Sequence, residues 1–593
     1  MNILFVYGVI FAPIMIGLIA FFSRKLAPWL SLAATLATAV IAAMILSAGE
    51  LTHPFLNLRA YLLSSGIFFA ASVFALLINI YSIKFMSGKQ NLPQFYAYFL
   101  ITLGSCAGAL FASDYLTLLL FWGMLAASLY MLVGLSGPKA ASAAKKTLLI
   151  VGGSDALMVL AVAIIWALTK NLQIGYVKLA ILSPVSALAF LCFLAGSLAK
   201  SGAMPLHSWI PACADVAEVP VMAYLPASLD KLIGIYLLFR LNTDIFFVSP
   251  NSAMSILLLT IGSVTIIAAV MGALVQHDLK KLLSYHAVSQ VGYMVLGIGT
   301  ALPVGIAGGL FHMINNTIYK SCLFLAGGSV EKQTGKTDLG YLGGLGSLMP
   351  MTFASAAIAA LSISGVPPFN GFVSKWMIYQ GVIGLAGTSR LWVIWLCAAM
   401  FGSALTLASF VKVIHAIFLG QRSSRVETSE VHPSMWVPTI ILAAVCVIFG
   451  IFAYSLPLKY FILPLVPGVM FSGSWTPVAA TGFLLLGLLA GLVFYWLGNT
   501  KKVTFKPVYI GGEDLPETTI KISPNEFYNS IIDFGMLKRI YKAAEKKYFD
   551  IYDMFKVVLF LLNRLFSWLH NGLVNTYITW MLVGAAILFL FLR

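Results

Sequence analysis

Apolar runs of bilayer length follow one another along this chain, separated by short polar loops. Sixteen such windows are legible, at about 3–22, 28–47, 62–83, 95–113, 115–135, 147–168, 184–204, 221–240, 254–276, 281–300, 303–327, 350–385, 391–420, 434–455, 476–498 and 573–592. A bilayer core needs ~20 apolar residues per helix, so the pattern predicts an all-α polytopic membrane protein with about 16 transmembrane helices. Two of the runs are interrupted by prolines. Ala199 to Lys231 carries Pro205, Pro211, Pro220 and Pro226, and Ser362 to Gly381 carries Pro367 and Pro368. Irregular backbone at membrane depth is tolerated only where it is buried in protein or lines a polar cavity. Paired interruptions in corresponding parts of two halves are the sequence sign of an inverted repeat. The expected division is N-terminal helices at 1–94, a first five-helix repeat at 95–240, a second at 254–420, further helices at 434–498, and a final span at 573–592.

The stretch from Thr500 to His570 breaks the pattern, with eleven Lys or Arg and eight Asp or Glu. Ser523, Pro524 and Glu526 have the spacing of a capped helix start. Downstream, Leu537, Tyr541, Ala544, Tyr548, Ile551, Phe555, Val558, Leu562, Phe566 and Leu569 recur every three or four residues, one stripe of an amphipathic helix. A single helix over 523–570 would be ~70 Å long at 1.5 Å per residue, longer than a bilayer is thick, and should lie flat. A break near Gly535, giving two shorter helices, is the alternative.

Composition agrees with the patterning: 60% hydrophobic, 9% charged, mean hydropathy +0.96. The net charge of +16 resides mostly in short loops, where Lys and Arg act as topology determinants and not as a nucleic-acid surface. Arg24, Lys25, Lys84, Lys89, Lys139, Lys145, Lys146, Lys280, Lys281, Lys332, Lys336, Arg422 and Arg425 all follow odd-numbered spans. By the positive-inside rule these loops face the cytoplasm, which places both termini outside the cell's inner (plasma) membrane and the amphipathic segment on the cytoplasmic side. The first apolar segment lacks a basic leader and a cleavage site and reads as a retained span. Six scattered cysteines form no CxxC pair, arguing against iron–sulfur ligation and a disulfide framework, and no metal or other cofactor of its own is predicted.

The chemistry is expected at ionisable residues inside the spans. A lysine at the bilayer centre costs roughly 2.5 to 3.5 kcal/mol, so Lys200, Lys231, Lys320 and Lys375 must face protein or water. His312 lies two turns before Lys320 on one helix face, a spacing suited to proton relay through water. Asp155 is the carboxylate deep in the first six spans. Asp230 adjoins Lys231 but points about 100° away on a helix, so the two need not pair.

Four segments carry a family resemblance: KSGAMPLHSWIP from Lys200, QHDLKKLLSYHAVSQVGYM from Gln276, HMINNTIYKSCLFLAGG from His312 and GVPPFNGFVSK from Gly365. The chain resembles the antiporter-like membrane subunits of respiratory complex I, of Mrp-type sodium/proton antiporters and of energy-converting [NiFe] hydrogenases. LPASLDKLIGIYLLFR and SYHAVSQ look closest to the Ech-type hydrogenase branch, and the amphipathic segment before a last span is similar to the lateral arm of the distal complex I subunit. The resemblance implies ion-translocating roles for Lys200, Lys231, His312, Lys320 and Lys375. It also implies a glutamate at the position of Gly123, paired with Lys200, and a histidine at Asn316. Both are missing, leaving Asp155 as the remaining acidic partner for Lys200.

The resulting expectation is a non-catalytic subunit that moves protons, or sodium against protons, within a redox-driven complex. Its partners would be other membrane-arm subunits, a peripheral redox module and lipid. The alternatives are a degenerate homologue serving as a structural membrane anchor, and a subunit of a stand-alone Mrp-type antiporter. A catalytic redox role is disfavoured by the lack of cysteine clusters and nucleotide-binding loops.

Overall fold

Proline opens many of the helices and glycine closes several, as expected of helix termini. The computed structural model describes residues 4–53, 57–420, 428–472, 477–497 and 528–592. In chain order the helices are α1 (Leu4–Ala20), α2 (Ala27–Ala48), α3 (Leu62–Phe85), α4 (Leu92–Phe111), α5 (Tyr115–Gly134), α6 (Ala141–Thr169), α7 (Pro184–Ser201), α8 (Trp209–Ala214), α9 (Val219–Tyr224) and α10 (Asp230–Arg240). There follow α11 (Ala253–Leu274), α12 (Leu279–Gly299), α13 (Pro303–Thr334), α14 (Pro350–Ser364), α15 (Asn370–Ile383), α16 (Trp392–Ile414), α17 (Pro433–Ile451), the short α18 (Leu463–Leu465) and α19 (Pro477–Leu497). The C-terminal part holds α20 (Asn529–Ile532), α21 (Gly535–Glu545), α22 (Ile551–Leu569) and α23 (Val574–Phe591). Among the described residues the only strands are two pairs of two or three residues each.

Among the described residues eleven helices are long and apolar enough to cross a membrane. α12 and α13 are also of spanning length, and both carry the polar side chains of the site described below. Burial is arranged as in lipid. Leu116 and Leu120 on α5, Val159 and Leu160 on α6, and Met400 and Phe401 on α16 are exposed, whereas the polar residues from His312 to Ser329 on α13 are enclosed. The chain is a multi-pass membrane protein. Its 32-residue α13 is packed by α12, α14, α15 and α17. A cluster of Leu259, Ile266, Tyr293, Leu296, Ile378 and Trp395 joins α11, α12, α15 and α16.

Both interrupted spans are broken in the same way. α7 ends at Gly202 (φ 79°, ψ 41°) and α14 at Gly365 (φ 79°, ψ 36°), each in the left-handed conformation that lacks a steric penalty only for glycine. Beyond Gly202 the chain runs through α8 into α9, a π-helical turn (Leu225–Leu229) and α10, which together make the next span. Beyond Gly365 it resumes directly as α15.

Residues Met1–Ser530 and Ile531–Arg593 form two separate compact units. In the second, the stripe predicted for one long helix is divided. α21 stops at Glu545, Lys547 adopts a left-handed conformation (φ 61°), and the Asp550 side chain caps α22 by accepting from Tyr552 N at 3.1 Å. A single ~70 Å helix is therefore not formed; the pieces are α21 and α22, with Gly535 opening the first. The predicted start at Ser523 to Glu526 lies outside the described residues. α22 and α23 meet at Gly572 (φ 79°), where Trp568 and Trp580 pack edge to face with ring centroids 5.7 Å apart.

Candidate ion-translocation site

The ends of the broken helices leave carbonyls without intrahelical partners, and lysines satisfy them. Lys231 Nζ donates to the Ser201 carbonyl at the end of α7. Lys375 Nζ donates to the Ile363 carbonyl (2.8 Å) near the end of α14 and to Ser403 Oγ (2.9 Å), which in turn donates to the Ser364 carbonyl (2.9 Å). A cation at a helix C-terminus is favoured by the orphan carbonyls and the macrodipole together. Each breakpoint thus fixes an ammonium group at a break in the helix.

Lys200, on the last turn of α7, donates to the Trp122 carbonyl (3.4 Å) and lies 5.1 Å from the centroid of the Trp122 ring. Lys320, in the middle of α13, donates to the Leu283 carbonyl (2.9 Å) between the rings of Phe324 and Phe410. All four lysines are buried, Lys375 being 2% exposed and the others 0%. None of them snorkels to a span end.

His312 and Lys320 share a face of α13 but are not bonded to each other. His312 Nδ1 shares a hydrogen bond with Ser374 Oγ (2.9 Å), and its Nε2 lies 3.1 Å from Gln290 Oε1 and 3.3 Å from Tyr319 OH. Tyr319 also donates to Gln290 Oε1 at 3.3 Å. Ser374 and Tyr319 are the chain neighbours of Lys375 and Lys320. The Tyr293 ring ties the network to Lys375: Lys375 Nζ is 4.7 Å from its centroid and the His312 ring 5.4 Å. Asn316, at the position where the family resemblance implies a second histidine, is buried with neither side-chain polar atom partnered.

Among the described residues, the buried acidic groups near these lysines lie on the other side of the site, by Lys200 and Lys231. Asp155 is half-buried with Oδ1 unpartnered, and it is close enough to Lys200 to interact electrostatically, yet no ion pair within 4.0 Å forms. Gly123 has nothing within 4 Å of where a Cβ would stand, so the place of the absent glutamate is open space. Asp215 and Glu218, in the first interrupted segment, instead pair at the surface with Lys281 (3.3 Å) and Lys89 (2.8 Å).

Sequence reasoning missed several contributors. Gln290, Tyr319, Ser374 and Ser403 are neutral, and nothing in a single sequence separates them from ordinary packing residues. Lys412 is buried on α16 and donates to the Leu274 and Gln276 carbonyls (2.8 and 2.9 Å), closing the end of α11. Its charge within an apolar run was the available signal. His286 shares a 2.7 Å hydrogen bond with Ser409 while its Nδ1 is unpartnered.

Residues 112–406 match the family model for the transmembrane region of NADH:quinone oxidoreductase and Mrp antiporter subunits, and they include Asp155, Lys200, Lys231, His312, Lys320 and Lys375. Over these residues the chain carries the antiporter-like membrane domain of this superfamily. Relatives include the Na(+)/H(+) antiporter subunit A1 of Staphylococcus epidermidis, 32% identical over 403 residues, which cover 63% of this chain and 50% of that one. The corresponding subunit of Staphylococcus haemolyticus is 30% identical over 429 residues, 68% of this chain and 53% of that one. The chain thus spans about half the length of the curated relatives it matches. Among solved structures, the fold is similar to a chain of the membrane-bound sulfane sulfur reductase, an archaeal respiratory membrane complex, with TM-score 0.83, 24% identity and coverage of 98% of this chain and 99% of that one. It is also similar to a chain of the Mrp complex from Dietzia sp. (TM-score 0.71, 20% identity, 78% of this chain and 97% of that one). A third likeness is to respiratory complex I from Thermus thermophilus (TM-score 0.68, 19% identity, 81% and 99%). These three are likenesses of fold.

Proposed function

We propose that this chain moves protons, or sodium against protons, across the membrane as one subunit of a larger redox-driven complex. The observation that carries the reading is the His312 network. It places hydrogen-bonding side chains of α12, α13 and α15 beside the enclosed Lys375 and on the helix that carries the enclosed Lys320, an arrangement that a bundle needing only to span lipid has no use for. Each lysine is cheaper to charge when its neighbour is neutral, so a proton gained at one favours loss from the next. Lys200, Lys231, His312, Lys320 and Lys375 carry the ion path, with Asp155 as an acidic neighbour of Lys200.

In this reading 95–240 and 254–420 are inverted repeats related through their broken helices, supported by the matching glycine ends at Gly202 and Gly365. The basic loops face the cytoplasm of the plasma membrane, both termini lie outside, and the amphipathic helices α21 and α22 rest on the cytoplasmic side, clasping neighbouring membrane subunits. A peripheral redox module supplies the driving reaction, as the full-length fold likeness to a respiratory complex suggests. The test is ion uptake by inverted membrane vesicles carrying the Lys320→Ala variant. Loss of uptake with the complex intact supports transport; unchanged uptake refutes it.

The open space at Gly123 favours a second reading, a membrane anchor that has lost transport. That reading predicts unchanged pumping for Lys320→Ala and for every other lysine variant, with effects on assembly alone.

A further inference from the structure

Asp230 opens α10 immediately after the π-helical turn, and its side chain is fully enclosed with both carboxylate oxygens lacking a hydrogen-bond partner. A buried carboxyl group in that condition is costly and calls for a reason. Its surroundings supply one. Asp230 interacts electrostatically with Lys200 on α7 and with its neighbour Lys231. One turn further along α10, Gly234 brings the two backbones together: a Cβ there would stand 2.7 Å from Ser201 N and 3.0 Å from the Ser197 carbonyl, and Ser197 Oγ donates to the Gly234 carbonyl at 2.7 Å. Residues 230 and 234 share a helix face, so the carboxyl group is on the side of α10 that meets the broken end of α7.

We propose that Asp230 takes over the acidic role left vacant at Gly123 and passes protons between Lys200 and Lys231. The step is a proton shuttle. The Lys200 ammonium gives its proton through water to the Asp230 carboxylate, leaving a neutral amine and a neutral carboxyl group; the carboxyl group then gives that proton to the Lys231 amine and returns to the carboxylate. No bond other than N–H and O–H is made or broken, and charge is conserved at each stage. Two observations set Asp230 above Asp155 for this task. Asp230 is completely enclosed and interacts electrostatically with both lysines, whereas Asp155 is half-buried and interacts with Lys200 alone among the lysines. The unsatisfied oxygens are what a relay group requires, because a carboxylate locked by donors gives up its proton-accepting capacity.

This inference rests on the transport reading, and the test separates the two. Ion uptake is measured in inverted membrane vesicles holding the complete complex, for Asp230→Asn, Asp230→Glu, Asp230→Asn combined with Gly123→Glu, and Lys320→Ala, with complex content determined in each. Asp230→Asn should lower the uptake rate at least about tenfold, as loss of a positioned proton-transfer group does. Asp230→Glu should retain most uptake, and Gly123→Glu should restore a substantial part to Asp230→Asn by returning a carboxylate beside Lys200. Normal uptake in Asp230→Asn alongside a dead Lys320→Ala overturns the shuttle and leaves transport standing. Loss in Asp230→Asn that neither glutamate relieves marks a packing role and equally overturns it. Normal uptake in Lys320→Ala refutes transport itself.

Discussion

The two halves of the membrane bundle solve the same problem with different side chains. In the first, around α7 and α10, two buried lysines face two carboxyl groups, and no direct hydrogen bond between side chains joins the four among the described residues. In the second, around α13 and α15, Lys320, Lys375 and Lys412 are buried with His286 and His312, no carboxylate lies among them, and a network of neutral side chains holds the basic groups together. On the transport reading, opposite charges would let the first half store a proton as an electrostatic pair. The second stores charge only by solvating an ammonium with carbonyls, hydroxyls and aromatic rings. On the transport reading, the contrast gives each acid of the first half its own task, Asp230 the relay and Asp155 the steadying of Lys200, and makes the second half dependent on each lysine.

The most severe consequence falls on Lys320. Its ammonium has one hydrogen-bond acceptor among the described residues, the Leu283 carbonyl, and aromatic rings on either side, so no adjoining side chain is placed to substitute for it. Lys320→Ala should abolish ion uptake while the driving reaction continues partly uncoupled. Lys320→Met, which keeps most of the side-chain volume, should behave identically and thereby exclude a cavity effect. Residual uptake above a tenth or so of normal in the methionine variant would break the contrast between halves, since that loss, about 1.4 kcal/mol, is less than removal of an indispensable group should give.

A smaller effect is expected from Asp155. If it steadies the Lys200 charge, Asp155→Asn should slow uptake several-fold, less than Lys200→Ala, and the double variant should be no worse than Lys200→Ala alone, as for groups that act together. Additive losses would show that Asp155 works elsewhere, and the first half would then hold one functional acid instead of two.

How much of this was legible beforehand follows from what each feature costs. Buried lysines are expensive in lipid, so Lys200, Lys231, Lys320 and Lys375 stood out from the apolar runs, and each is enclosed in the fold. The broken helices announced themselves through Pro205 and Pro367. Neutral residues carry no such cost, which is why Gln290 and Ser374 passed unseen. Asp230 was visible but set aside, because an ideal helix turns it 100° from Lys231; the preceding π-helical turn and the close approach of α7 at Gly234 decide its neighbours, and neither is written in local spacing. The long amphipathic helix failed for a related reason. A continuous apolar stripe fixes which face is buried, but not that Lys547 leaves the helical region and Asp550 starts a new cap.

A milder loss is expected from the network than from the lysines it connects. Gln290 offers one oxygen to both His312 and Tyr319, while its Nε2 is unpartnered. Gln290→Ala removes the shared acceptor but spares His312 its bond to Ser374, so uptake should fall by about tenfold or less and the complex should assemble normally. Complete loss would mean that the second half relies on Gln290 as heavily as on its lysines, and the distinction drawn above between charge carriers and connectors would fail.

The smallest differences should come from the two glycines that end the broken helices, and they compare the halves most directly. Both sit at φ 79°, where an L side chain costs roughly 1–2 kcal/mol whatever the space around it. What differs is the neighbour a methyl group would meet. At Gly202 it would stand 2.1 Å from Ile210 Cδ1 and 3.2 Å from Lys231 Nζ; at Gly365 it would stand 3.0 Å from Lys375 Cδ and 3.4 Å from Ser403 Oγ. The side-chain end of Ile210 must move for Gly202→Ala, whereas Lys375 and Ser403 need yield only slightly for Gly365→Ala. Gly202→Ala should therefore lower the thermal stability of the purified complex more than Gly365→Ala, while Gly365→Ala should disturb transport more than its stability cost suggests, because the groups it crowds are Lys375 and the hydroxyl that holds it. Equal melting temperatures and equal uptake for the two variants would show that both breakpoints are mechanically alike, leaving charge arrangement as the sole difference between the halves.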